Sequence, residues 1–208
     1  MRRGVACAYD TFAVRAFRIL TPSDYRRLPW RNGLGSTLEI ATDAAEAGAP
    51  WTWRLSFADV PSRAPFSSFP GIDRHIAVLD GAGLALERGA ERIEVPREGL
   101  AFAFAGEDAI VGEPIGAGVR DANLMLDRRR WTGSLEVLRI GAERTVAIES
   151  DVMLIQVHGG AKSVESRIGD ESSALEADST LVCGGTVSIT ACHATLVVAR
   201  IHRRSSHP

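Results

Sequence analysis

An arginine and a glutamate on two successive predicted strands are the side chains best suited to hold a small charged molecule. In the sequence Trp-Arg-Leu-Ser-Phe-Ala, apolar and polar positions alternate, so Arg54 and Ser56 share one face of a strand. On the preceding strand, the same alternation places Thr37 and Glu39 on one face. A guanidinium group binds a carboxylate through two parallel hydrogen bonds, and a carboxylate accepts hydrogen bonds from an amine or an imidazole. The two strands therefore predict a polar interior that binds a small carboxylated metabolite.

If Arg54 and Glu39 are both buried, their charges must be compensated. A buried charge is costly unless it is paired or hydrogen-bonded, so Arg54 and Glu39 must lie close together if both turn inward. The sequence leaves a plainer alternative open, in which Glu39 lies on a solvated sheet face and Arg54 pairs with a surface carboxylate.

The predicted site assigns a role to each member. Arg54 anchors the carboxylate, Glu39 receives an amine or imidazole donor, and two tryptophans, Trp30 and Trp53, wall the site. Neutral side chains supply further hydrogen bonds. The predicted ligand-binding residues are Trp30, Asn32, Thr37, Glu39, Arg54, Ser56, Arg74 and Asn123.

Metal and nucleophilic chemistry are not favoured by the spacing of the candidate residues. The five histidines are scattered singly without an H-x-H pair, so we predict no bound metal and no cofactor. Ser56 has no nucleophile-elbow sequence around it. We therefore expect a non-catalytic binding protein. The alternative is a metal-free isomerase or hydrolase in which Glu39 is the general base and Arg54 stabilises negative charge. A structural or regulatory partner protein, with strand edges that form a homodimer, is a third hypothesis.

Composition excludes several classes of partner. The 208 residues carry 24 Lys and Arg against 26 Asp and Glu, a formal net charge of −2, which does not favour nucleic acid. The short basic run 128–130 is interpreted as a solvated face. No apolar run reaches the roughly 20 residues of a membrane span, and three cysteines without a C-x-x-C pair indicate a reducing compartment. We expect a cytoplasmic protein with no membrane contact.

Short apolar runs bounded by Gly, Pro or Asp predict an all-β fold. One short helix is expected to begin after Thr21 and to end by Pro29. The predicted strands are 37–42, 53–60, 74–79, 83–87, 91–95, 100–104, 109–111, 119–126, 134–140, 145–149, 152–158, 186–191 and 194–202.

A succession of motifs resembles one known family. The motifs are Trp30-Arg31-Asn32-Gly33-Leu34-Gly35 with Thr37 and Glu39, Trp53-Arg54-Leu55-Ser56-Phe57-Ala58, Pro65-Phe66-Ser67, Phe69-Pro70-Gly71-Ile72-Asp73-Arg74, and Asp121 with Asn123-Leu124-Met125. Their order over residues 17–130 resembles the HutD/Ves family, while the second half matches in strand pattern only. The resemblance implies a cupin-like, RmlC-type jelly-roll β-barrel in two similar halves that pack as one bicupin-like unit. It also implies an association with histidine utilisation in many members and, in the Ves branch, with cold or stress.

The resemblance also suggests how the chain divides. We expect an N-terminal half at 14–133, a C-terminal half at 134–203, and loose tails at 1–13 and 204–208. Two departures from the family pattern, Ala122 in place of an aromatic residue and the altered segment 104–108, are expected to reshape the mouth of the pocket.

Overall fold

A computed structural model of the chain describes residues 17–30, 35–46, 48–161 and 163–205. Within them, the only helix is one 3₁₀ turn at Pro22–Asp24. The strands are β1 (Arg18–Leu20), β2 (Arg26–Pro29), β3 (Ser36–Thr42), β4 (Trp53–Val60), β5 (Ala64–Pro65), β6 (Ile72–Asp80), β7 (Leu84–Arg88), β8 (Glu91–Glu94), β9 (Gly99–Leu100), β10 (Phe102–Ala105), β11 (Ile110–Pro114), β12 (Val119–Asp127), β13 (Trp131–Ile140), β14 (Arg144–His158), β15 (Ser163–Ile168), β16 (Glu171–Ala174), β17 (Thr180–Cys192) and β18 (Ala194–Arg203).

The strands form three antiparallel sheets, which confirms the predicted all-β class. A six-stranded sheet has the order β10-β6-β12-β4-β3-β2, and a four-stranded sheet has the order β5-β11-β7-β8. An eight-stranded sheet contains β16-β15-β17-β14-β18-β13-β9, with β1 paired to β17. The single described helix is a three-residue turn, too short to cross a bilayer.

The six-stranded sheet packs on both of its faces. On one face, residues such as Trp53, Leu55 and Leu124 join a core with Leu135 and Val197 of the eight-stranded sheet. The other face turns toward the four-stranded sheet. The apolar part of that second contact contains Val60, Ile76, Val78, Leu84, Leu86, Ile110 and Val119. This space between the six-stranded and four-stranded sheets is called the N-terminal interior below.

The eight-stranded sheet encloses an apolar core of its own. Strand β14 shifts register between Ser150 and Met153, and β17 contains Gly185 with a φ of 83°. Irregularities of this kind bend a strand, which lets one sheet curl over its own residues. The enclosed side chains include Met153, Ile155, Leu181 and Ile189, all buried. The prediction of two separate strands at 145–149 and 152–158 was therefore wrong, because one long bent strand spans both segments.

Several polar strands were not predicted because they lack an apolar run. The short helix expected after Thr21 is confirmed as the 3₁₀ turn Pro22–Asp24, but the strand β2 that follows it was not predicted. Strand β2 pairs with β3, with Arg26 opposite Glu39. Strands β15 and β16, also unpredicted, expose most of their side chains at the edge of the eight-stranded sheet.

The two predicted halves share strands. Strand β1 from the N-terminal part pairs with β17, and β9 pairs with β13, so both belong to the eight-stranded sheet. The boundary at 133/134 stays a prediction, as does the internal similarity of the halves.

Candidate functional site

Alternation along β4, β6 and β12 directs one set of polar side chains into the N-terminal interior. On β4, Leu55 lies in the core between the sheets, so Arg54 and Ser56 point to the opposite side. By the same rule, Arg74 of β6 and Asn123 of β12 lie on the interior face, because their strand neighbours Ala77 and Leu124 lie in the core between the sheets. The interior face is therefore polar at one end and apolar at the other.

The register aligns these side chains in cross-strand rows. In one row, Glu39 lies opposite Ser56, which lies opposite Asn123. In the next row, Met125 lies opposite both Arg54 and Arg74. Side chains directly opposite one another on neighbouring antiparallel strands are in contact range, with Cβ atoms about 4.5–5.5 Å apart. Four strands, β3, β4, β6 and β12, thus bring residues distant in sequence onto one surface.

Glu39 lies between two guanidinium groups. Its Oε1 accepts a hydrogen bond from Nη1 of Arg26 at 3.2 Å, and its Oε2 lies 3.4 Å from Nε of Arg54. Glu39 is 8% exposed, so the solvated alternative does not describe it. The predicted proximity of Glu39 and Arg54 is confirmed, and their part in binding stays a prediction.

Arg74 lies in an aromatic enclosure. Its guanidinium carbon is 5.1, 5.7 and 5.0 Å from the ring centroids of Phe66, Phe69 and Phe104. The negative faces of aromatic rings attract a cation, and the attraction grows when water is excluded. Nη1 of Arg74 also donates a hydrogen bond to the Ser67 carbonyl at 3.4 Å. The segment between β5 and β6 thereby fixes this buried arginine.

Four buried polar atoms on this surface have no hydrogen-bond partner among the described residues. They are Arg54 Nε, Arg74 Nε, Asp121 Oδ1 and Asn123 Oδ1. The 3.4 Å approach of Arg54 to Glu39 provides Coulombic attraction without hydrogen-bond geometry. Native proteins pair the large majority of buried polar atoms, so such a concentration indicates a position for water or a ligand.

Burial also shifts the pKa values of the charged residues on this surface. Burial raises the pKa of Asp121 to about 7, although the positive charge of Arg74 opposes the shift. Burial lowers the pKa of Arg74 to about 10 and lowers the pKa of Arg54, with Glu39 opposing the change at Arg54. Both arginines remain charged at neutral pH. Asp121 is the member that changes charge near neutrality.

The other predicted site residues fall at different places. Trp30 packs against the apolar residues of the N-terminal interior, and its Nε1 donates to Oγ1 of Thr37 at 2.9 Å. Asn32 lies outside the described residues. The prediction that Trp53 walls the site was wrong, because Trp53 lies on the opposite face, in the core between the sheets.

Metal ligands do not cluster within the ranges that the structure describes: no group of three His, Cys, Asp or Glu side chains there has metal-binding geometry. His75 lies opposite Leu124 in the register, on the side of β6 away from Arg74. Burial lowers the pKa of His75, which favours its neutral form.

The HutD family model matches residues 22–198 of the chain. The chain belongs to the HutD family. It is 37% identical over 139 residues to an uncharacterized 21.2 kDa protein of the hutC 3′ region of Pseudomonas putida, over 66% of this chain and 72% of that protein. It is also 34% identical over 127 residues to Protein Ves of Citrobacter koseri, over 59% of this chain and 63% of that protein.

Solved structures agree with this assignment. A conserved protein of unknown function from Pseudomonas aeruginosa PAO1 has a TM-score of 0.80 at 32% identity, over 90% of this chain and 100% of that one. HutD from Pseudomonas fluorescens SBW25 has a TM-score of 0.71 at 29% identity, over 91% of this chain and 100% of that one. The bacterial pirin YhhW from Escherichia coli, 10% identical over 88% of this chain and 98% of its own, has a TM-score of 0.60 and shares the fold alone. The chain of this HutD-family protein therefore has the cupin-like fold that its motifs predicted.

Of the two departures from the HutD/Ves pattern, Ala122 lies away from the site, whereas the segment 104–108 lies next to it. Ala122 is fully buried beside Phe57 and Ala77 in the core between the sheets, so the expectation that it reshapes a pocket mouth was wrong. In the other segment, a Cβ added at Gly106 would lie 2.4 Å from the carbonyl oxygen of Phe69. That glycine therefore permits the close approach of the segment that encloses Arg74.

Two charged residues of this HutD-family site were missing from the sequence prediction. Arg26 was missed because its strand was not predicted, although a strand at 26–29 would place it opposite Glu39. Asp121 belongs to the last of the family motifs, and no role was predicted for it. Its position two residues before Asn123 was the available signal, because residues i and i+2 of a strand share a face.

Proposed function

We propose that this HutD-family protein binds a small carboxylated metabolite in its N-terminal interior and does not change it chemically. The observation that carries the proposal is the convergence of unpaired polar atoms from Arg54, Arg74, Asp121 and Asn123 on one buried surface. An unpaired buried donor or acceptor costs about 1–3 kcal/mol, so a molecule that pairs several of them gains affinity. The arrangement suits a ligand that offers both acceptors and a donor.

The charge balance supports a carboxylate. Arg26, Arg54 and Arg74 bring three positive charges to the site, against Glu39 and an Asp121 whose pKa is about 7. The site therefore carries net positive charge at neutral pH. A local positive potential in a region of low dielectric attracts anions. Arg54 is partly exposed and has further N–H donors besides the Nε that faces Glu39, so it is the arginine best placed to meet an incoming carboxylate.

The ligand class is narrowed by the relatives. Names that contain HutD and hutC favour a catabolite of histidine as the carboxylated amino-acid derivative. Formylglutamate, formiminoglutamate and urocanate are the first candidates.

The location and the partners of the protein stay predictions. We propose a cytoplasmic protein that forms a homodimer and has no nucleic-acid or membrane partner. Light scattering of the purified protein tests the homodimer.

The competing hypothesis of a metal-free enzyme requires Glu39 as general base. A base needs an oxygen free to take the proton of the substrate. Both oxygens of Glu39 instead face guanidinium groups, at 3.2 and 3.4 Å. This geometry favours a binding protein over an isomerase or hydrolase that depends on Glu39.

Thermal-shift screening of the three candidates, followed by calorimetry, tests the proposal. A ligand that binds the folded state raises the melting temperature, and the rise grows with the logarithm of its concentration relative to Kd. We expect Arg54→Gln to weaken binding at least tenfold, because a charged hydrogen bond contributes about 1.5–3 kcal/mol.

The matched control is Arg63→Gln, which removes an exposed arginine that pairs with Glu87. Equal affinities of the Arg54 variant and the wild type would contradict the assignment of the site. Proton NMR of the ligand after prolonged incubation separates binding from turnover. A changed ligand would support the enzyme instead.

A further inference from the structure

We propose that Asp121 receives the hydrogen-bond donor of the ligand, and that Glu39 is a positioning residue for Arg54. The inference rests on the proposed binding function and reverses the role that the sequence suggested for Glu39. It predicts that the ligand carries an N–H group in addition to its carboxylate.

Glu39 has little left to offer a ligand. Its Oε1 accepts a hydrogen bond from Nη1 of Arg26, and its Oε2 lies 3.4 Å from Nε of Arg54. A ligand amine that approached Glu39 would have to compete with two guanidinium groups. The contact with Glu39 helps to fix the Arg54 side chain, whose guanidinium carbon lies 5.9 Å from the ring centroid of Trp51.

Asp121 has the opposite character. It is 1% exposed, its Oδ1 has no partner among the described residues, and the residues opposite it in the register are Ala58 and Val78. Neither of those side chains can donate a hydrogen bond. Asn123, two residues along the same strand, presents a second unpaired oxygen on the same face. Two neighbouring acceptors without donors predict a donor on the ligand.

The positions of donors and acceptors give the ligand a direction. Arg54 and Asp121 lie four residues apart in the register, because Asp121 is opposite Ala58, and this corresponds to roughly 13 Å along the sheet. A ligand whose carboxylate lies at Arg54 must therefore extend along the sheet to place an N–H at Asp121.

The charges around Asp121 couple this contact to a proton. The charges that act on Asp121 are those of Arg74 from β6, which lowers its pKa, and Asp59 from β4, which raises it, while Arg54 and Glu39 share its face of the sheet. Because burial raises the pKa of Asp121 to about 7, part of the population is protonated near neutral pH and cannot accept an N–H at that oxygen. Binding of a donor favours the ionised carboxylate, so the proton passes to the buffer. A ligand oxygen placed there would favour proton uptake instead.

Two probes of matched shape separate these possibilities. Urocanate and 3-(2-furyl)acrylate share a planar ring and an acrylate, but only urocanate carries a ring N–H. We expect the wild type to bind urocanate at least tenfold more tightly than the furan, since the contact with a charged acceptor is lost in the furan. Calorimetry at pH 7 in buffers of different ionisation enthalpy should show release of about half a proton per urocanate.

Substitutions at Asp121 and Glu39 test the separate roles of these two carboxylates. In Asp121→Val, the ratio of the affinities for urocanate and the furan should fall close to one. Asp121→Asn keeps the shape of the side chain and should abolish the proton release. Glu39→Gln should weaken both probes by the same factor and leave their ratio unchanged. Glu98→Gln, at an exposed carboxylate, is the control and should change neither quantity.

Each result bears on one of the two proposals. An unchanged ratio in Asp121→Val together with unchanged proton release in Asp121→Asn overturns the role of Asp121 while the binding function stands. If Glu39→Gln changes the ratio of the two probe affinities, Glu39 rather than Asp121 receives the hydrogen-bond donor of the ligand. A wild type that binds neither probe, nor any of the other candidates, overturns both proposals.

Discussion

Replacing Asp121 with asparagine should remove a pH dependence from the stability of the folded protein. The pKa of Asp121 is about 7 in the folded state because of burial, against a value of 3.8 for an unperturbed aspartate. Between these values the folded state binds more protons than the unfolded state. The contribution of Asp121 to the free energy of unfolding is therefore largest below pH 4 and is lost as the pH rises toward 7.

The expected magnitude follows from the two pKa values. Their difference corresponds to on the order of 4 kcal/mol when the titration is complete. Between pH 5 and pH 8, the wild type should lose about 2 to 3 kcal/mol through this group. For a protein of 208 residues, this equals a fall in melting temperature of roughly 5–10 °C. The variant also deprives Arg74 of a negative neighbour, but Arg74, with a pKa of about 10, stays charged throughout this range.

Urea unfolding at pH 5, 6, 7 and 8, followed by tryptophan fluorescence, measures the effect. Changes in packing and hydrogen bonding caused by the substitution shift the stability of the variant equally at every pH, so the quantity of interest is how the difference between variant and wild type changes with pH. We expect the variant to gain about 2 to 3 kcal/mol relative to the wild type between pH 5 and pH 8. Glu98→Gln should follow the wild type. Parallel curves for wild type and Asp121→Asn would refute the conclusion that burial keeps this carboxyl partly protonated.

Two further predictions concern the segment that encloses Arg74 and the hydrogen bond between Tyr25 and Thr180. Gly106→Ala should destabilise the protein by about 2 kcal/mol or more and weaken ligand binding, because the new Cβ would meet the Phe69 carbonyl oxygen at 2.4 Å. Chemical denaturation compares it with Gly141→Ala, where no atom lies within 4 Å of the new Cβ, and equal stabilities would contradict the packing argument. Tyr25→Phe should lower stability by about 1 kcal/mol, because the Tyr25 hydroxyl forms a 2.7 Å hydrogen bond with Oγ1 of Thr180. Thermal unfolding measures it, and an unchanged melting temperature would show that this bond has no net value.

Part of the site was predictable because alternation along a strand is a local property. The sequence around Arg54 and Ser56 shows which side chains share a face, and the same rule applies to Glu39. Local alternation also revealed the density of short strands, and so the all-β class. The ordered motifs then pointed to the family and to its cupin-like fold.

Other parts depended on contacts between distant segments. Arg26 reaches Glu39 only because β2 pairs with β3, and the segment Arg26–Pro29, which contains a single leucine and ends in proline, gives no strand signal of its own. The enclosure of Arg74 requires Phe66 and Phe69 from a loop and Phe104 from β10, which alternation cannot place.

The sequence by itself determined which residues lie on the same side of each strand and which family the motifs resemble. Only the tertiary structure decided which side of each strand faces the N-terminal interior, and it thereby buried Asp121 next to Arg74 while Trp53 packed on the far side. The reason is that a period of two residues follows from backbone geometry alone. Strand pairing, burial and the resulting pKa values arise from long-range packing, which brings together segments that are far apart in the chain.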